Sequence, residues 1–189
     1  MSRSRPLSER EKAFENVFFR KESERLLKAM RTRKSQQEQF AALSGVLGVD
    51  APELINPLLN LGLREENITA LVLAPLVAVA WADRTLYNTE RRSILRAEDD
   101  FGIDPKSGAG RLLEVWLDHR PHESLLDAWA AYVGELCRVL EPDERTQLRN
   151  DIVSRSHRIA RAVEKSFLRG GGPTEAERTT LEKIEAAFL

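Results

Sequence analysis

The side chains best suited to chemistry in this chain are three histidines, one cysteine, two serines beside a histidine, and several runs of charge. His119 and His122 stand in an H-x-x-H spacing that straddles Pro121. A zinc site needs two further ligands, and Cys137 is the only soft candidate, so the set does not close. Ser154, Ser156 and His157 lack the flanking glycines and sharp elbow of a hydrolase nucleophile. Gly170-Gly171-Gly172 precedes no Lys-Ser/Thr and follows no strand, which makes it a hinge and not a phosphate loop. Glu98-Asp99-Asp100 has the form of a solvated helix face. Trp81, Trp116 and Trp129 lie on apolar stripes and are expected in the core. No nucleophile with its base emerges, and the expectation is a protein that is not an enzyme.

Charge is divided unevenly along the chain. Residues 1–40 hold 11 Lys/Arg against 6 Glu, and the remainder holds 18 basic against 24 acidic residues, so a front of +5 hides behind a total of −1. Such a front either pairs with the acidic body or offers a basic face to a partner. Arg20, Lys21, Arg25, Lys28, Arg31, Arg33 and Lys34 could bind nucleic acid or an acidic protein. Glu22, Glu24 and Glu38 dilute them and no aromatic interleaves after Phe19, which disfavours stacking on single strands.

These residues must be positioned by helices. Ala, Leu, Glu and Arg dominate, aromatics are only 6%, and 42% hydrophobic content over 189 residues is enough for a core. The segment Ile68 to Ala82 is apolar throughout and ends abruptly at Asp83. It is too short for a bilayer core, which takes roughly 20 residues, so it predicts a buried central helix. Pro75 should kink or break that helix near Leu71.

Around it the pattern predicts a front helix from about Glu9, set by the Ser8–Glu11 capping box, and a short helix after Asp50-Ala51-Pro52 with Asp50 as cap, stopped at Gly62. Further helices follow from Asn88 to Phe101 with a Gly102-Ile103 stop, around Leu112 to Leu117, from Leu125 to Leu140, from Pro142 to about Phe167, and after the Thr174–Glu177 capping box. Gly108 and Gly110 weaken the start of the Leu112 helix. Carboxylates recur in first helical turns, where the positive end of the helix dipole favours them by about 0.3–1 kcal/mol. A single cysteine excludes an internal disulfide, and no stretch has signal-peptide or membrane-span character. The default compartment is the cytoplasm, with no membrane insertion.

The string Ala78-Val79-Ala80-Trp81-Ala82-Asp83-Arg84-Thr85-Leu86, followed by Glu90-Arg91, Ile94 and Phe101-Gly102-Ile103-Asp104, resembles the tellurite-resistance TerB-like family. There an apolar helix ends in Ala-Asp-Gly, a turn follows, and a Glu lies a fixed distance beyond. The resemblance covers roughly residues 65–189 and implies a compact all-helical, non-catalytic fold found in stress-response and co-chaperone proteins, with divalent metal binding proposed for some members. Its motif places Asp83 and Glu90 as candidate ligands for Ca²⁺ or Mg²⁺. The alternative is that Asp83 binds loop N–H groups while Glu90 caps the next helix. Arg84 stands where the family has glycine, and Tyr87 where it has a small polar cap. Arg84 would take a left-handed conformation only at a cost.

Arg10 to Asn16 through Arg31-Thr32-Arg33-Lys34 resembles the N-terminal helices of the ATP synthase inhibitor zeta subunit family, which implies an arm that docks on something. The expectation is therefore an all-α chain: a charged helical arm over 1–45 and a compact TerB-like bundle over 46–189. The arm's Phe14, Val17, Phe18, Leu26 and Leu27 are the candidate partner-binding residues for a protein partner. A metal sensor using Asp83 and Glu90, and weak nucleic-acid or acidic-partner binding through the arm, are the alternatives.

Overall fold

The computed structural model describes the backbone of residues 7–161 and 173–189, and the side chains of these except 7–20, 22 and 23. It is all-helical, with eight α-helices and no strand among the described residues. None of those helices is long and apolar enough to cross a membrane. The chain separates into two units, Met1–Ala42 and Leu43–Leu189.

The first unit is helical from Leu7 onward, part of α1 (Leu7–Leu47), which begins two residues ahead of the expected start. Every described position from 24 to 38 is exposed, which over 31–38 is what the absence of apolar side chains between Arg31 and Gln39 leads one to expect. Phe14, Val17 and Phe18 have side chains outside the described residues, whereas Leu26 and Leu27 are 57% and 53% exposed.

The second unit is built around the apolar middle of the chain. Here Pro75 acts differently from the expected mid-helix kink. Ile68–Leu73 is a 3₁₀ turn, and α3 (Ala74–Ala80) begins afresh with Pro75 in its first turn, where no intrahelical N–H is needed. The break falls at Leu73 and Ala74, two residues later than expected. Leu73, Ala74, Leu76, Val77 and Val79 are completely inaccessible. α3 packs against α4 (Asn88–Asp100), α6 (Ser124–Val139), α7 (Pro142–Ala160) and α8 (Glu175–Ala186), so it is enclosed on most sides. α5 (Gly108–Asp118) packs instead on the 3₁₀ turn, and α2 (Pro52–Asn60) on α6.

Helix ends follow the anticipated chemistry with one substitution. Ala51, not Asp50, caps α2, because Pro52 already supplies the first helical residue. α4 ends in a Schellman stop: Gly102 at φ 68 donates to the Asp99 carbonyl and Ile103 to that of Glu98. Glu177 and Thr174 close the predicted capping box of α8. The expected continuation of α7 to Phe167 and the Gly170–Gly172 hinge lie outside the described residues. Trp116 and Trp129 are buried, while Trp81 is half-buried and donates its indole N–H to the Trp116 carbonyl at 2.8 Å.

The glycines opening α5 are there for space, which sequence propensity alone does not show. A Cβ on Gly110 would sit 2.5 Å from Pro105 backbone atoms and 2.6 Å from the Asp104 carbonyl. Ser107 caps the same turn by accepting the Gly110 N–H at 3.1 Å. Gly110→Ala is therefore expected to lower stability by about 1–3 kcal/mol through overpacking against backbone, seen as a drop of several degrees in the thermal midpoint. An unchanged midpoint would mean that the 104–110 turn yields freely.

Candidate functional site

The loop from Asp83 to Glu90 is organised by backbone capping. Glu90 is 1% exposed, and its Oε2 accepts the Tyr87 N–H at 2.8 Å, closing the first turn of α4. Asp83 Oδ1 accepts the Thr85 N–H at 3.0 Å. Arg84 adopts φ 70, the left-handed conformation that its position demands and that glycine takes without strain. Among the described residues no group of three or more His, Cys, Asp or Glu side chains could hold a metal ion. Asp83 and Glu90 thus each accept a backbone N–H of this segment, Asp83 within the turn and Glu90 at the start of α4.

The remaining candidates are dispersed. His122 Nδ1 lies 2.8 Å from Ser124 Oγ at the start of α6, and His119 is exposed. His157 Nε2 lies 3.1 Å from Glu185 Oε1, joining α7 to α8. Ser156 is fully buried with no hydrogen-bond partner for its Oγ among the described residues, whereas Ser154 is exposed. Cys137 is buried, and burial pushes its thiol pKa up against the opposing pull of Arg145. That keeps it protonated and poorly nucleophilic.

The acidic run departs from expectation. Asp99 and Asp100 are exposed, but Glu98 is 5% exposed on the inward face of α4. Burial raises its pKa, and the neighbouring charges of Glu114, Asp104 and Asp99 raise it further.

A different feature, spread over six segments and invisible to any local motif, is an apolar groove of about 650 Å³ in the second unit. Ile68, Leu71 and Val72 of the 3₁₀ turn form one wall, and Trp129, Val133 and Leu136 of α6 face it. Leu148 and Ile152 of α7, the Phe101–Ile103 stop of α4, Phe188, and Val46 and Leu47 complete the lining. Two aromatic contacts hold this shape. The Phe188 ring meets Trp129 edge-on at 5.9 Å, and the Arg155 guanidinium lies 4.5 Å from the Phe101 ring centroid. Arg155 is itself fixed by Asp100 at 2.6 Å and Asp151 at 3.0 Å.

Polar groups at the edge are already committed to structure. Asp104 Oδ1 accepts the Lys106 N–H, and Ser107 Oγ accepts that of Gly110. Tyr132 is half-buried, and burial raises its pKa, so it stays a neutral phenol. The groove can therefore recognise apolar surface, with a hydroxyl and the Asp104 carboxylate at its side. No family model, curated protein or solved structure matches this chain.

Two predictions follow from these carboxylates. Glu90→Ala should cost about 1–2 kcal/mol by removing a buried cap, with the same loss of thermal midpoint in millimolar Ca²⁺, millimolar Mg²⁺ or chelator. A midpoint raised by either cation in the parent and not in Asp83→Ala or Glu90→Ala would establish the metal reading instead. For Glu98 the folded-state pKa is raised, so the folded protein binds the extra proton. Its ionisation therefore subtracts stability as pH rises above the ordinary value of 4.5. Glu98→Gln should melt higher than the parent at neutral pH, with the gap closing as pH falls below that value. A constant gap across pH would assign the effect to packing.

Proposed function

We propose that this chain is a non-catalytic interaction module of the TerB-like kind, whose second unit seats the apolar face of a partner helix. One observation carries the reading: the groove is large, and thirteen of its eighteen lining residues are Ile, Leu, Val, Phe or Trp. An amphipathic helix presents apolar anchors at i, i+3, i+4 and i+7, a pattern suited to a groove formed between the 3₁₀ turn, α6 and α7. The volume lies within the usual range for ligand sites, roughly 300–1,000 Å³. The TerB-like part of the reading rests on the resemblance carried by the Ala78–Asp83 string and Glu90.

The test uses a fluorescently labelled synthetic amphipathic helix with leucines at i, i+3, i+4 and i+7. Anisotropy should rise on adding the full chain, and Leu148→Glu should weaken binding about tenfold or more by setting a charge in the groove. Leu148 is only half-buried, so the variant is expected to keep its thermal midpoint within a few degrees. Equal binding by parent and variant, or none by the parent, would remove the groove as a helix receptor.

A further inference from the structure

The chain carries a helix of the kind that its groove would take. On α1, Leu26, Leu27 and Met30 are 57%, 53% and 66% exposed, at i, i+1 and i+4. They form an apolar stripe on a segment where every described position is in water. Most helical stability in proteins comes from packing an amphipathic face, so a stripe left bare forgoes that support. Lys28 and Arg31 interleave with it, within a front of net charge +5.

The body that holds the groove has the opposite sign, with 18 basic against 24 acidic residues. At the groove itself the exposed Asp104 is part of the lining, and Asp99 is exposed in the last turn of α4 just before Phe101, while the neighbouring Asp100 is taken up by Arg155. Apolar stripe and basic flanks on one segment thus complement apolar lining and acidic edge on the other.

We propose that the groove of one copy receives the Leu26–Met30 stripe of α1 from a second copy, giving a pair joined by two equivalent contacts. This rests on the groove being a helix receptor and adds the identity of the occupant. Because donor and receptor belong to one sequence, a two-fold arrangement satisfies both at once and closes without leaving a free end. Opposed net charges would speed encounter and make pairing weaken as salt rises.

The test is sedimentation equilibrium of the full chain, with a stripe variant (Leu26→Glu, Leu27→Glu and Met30→Glu together) and a groove variant, Leu148→Glu. Val72→Glu serves as a second groove variant should Leu148→Glu melt early. The parent is expected to pair reversibly, and each variant alone to be monomeric or at least about tenfold weaker. An equimolar mixture of stripe and groove variants should pair more tightly than either variant alone and more weakly than the parent, since one intact stripe then meets one intact groove and the second contact is lost.

A parent that stays monomeric at high micromolar concentration overturns the proposal. So does pairing lost only in the stripe variant, which would mean that the helices associate with each other, or pairing lost only in the groove variant. A mixture that pairs no better than either variant alone also overturns it. In each of these cases the synthetic helix still reports separately on whether the groove accepts any helix.

Discussion

Everything in the second unit depends on burying the apolar run from Ile68 to Ala80. A segment with no polar face cannot lie on a surface, so helices from both sides of it in the chain must be folded over it. α4, α6, α7 and α8 enclose α3, and completely inaccessible residues cluster there. Pro75 divides the run in two. The α3 half is covered by four helices, whereas the 3₁₀ half is covered mainly by α5 and the end of α4. Thr69 stays exposed and Val72 half-buried, and it is along this less covered half that the groove opens. One proline thereby separates the part of the core that is sealed from the part that remains available.

The groove's shape is then held by helix-terminus chemistry. Gly102 stops α4 so that Phe101 and Ile103 turn toward the cavity, and Arg155 on α7 clamps Phe101 from the other side through Asp100 and Asp151. The next turn is tightened by Ser107 and by the close backbone approach at Gly110. α8 is tied to its neighbours by His157–Glu185 and Lys183–Asp127. These partly exposed pairs contribute modestly to stability, and their larger effect is to fix where α8 and Phe188 lie.

Carboxylates show how the same residue type serves different ends according to where the helix turns it. Glu90 is buried and satisfied by the Tyr87 backbone N–H that it caps. Glu98, two helical turns later, is buried among other acids and held toward its protonated form. The Asp83 loop meets its backbone needs with Arg84 in a left-handed conformation, where a non-glycine residue carries roughly 1–3 kcal/mol of strain. That strain persists because the buried end of α3 and the capped start of α4 fix the turn from both sides.

The all-helical class, the stop at Gly102, the Thr174–Glu177 capping box, the start of α4 and the burial of Trp116 and Trp129 were all legible in the sequence. Each is decided within one or two turns by propensity, capping or apolar periodicity. Arg84's strain was legible for the same reason, since a turn of that form needs a left-handed residue. Three things were decided only by tertiary structure: Glu98 turning inward, the glycines at 108 and 110 serving close approach, and the groove itself. The groove draws Ile68, Phe101, Trp129, Leu148 and Phe188 from segments far apart in the chain. Local pattern marks each of them as apolar, but an unfilled space between helices is a property of how they cross and where they end, and no single segment encodes it.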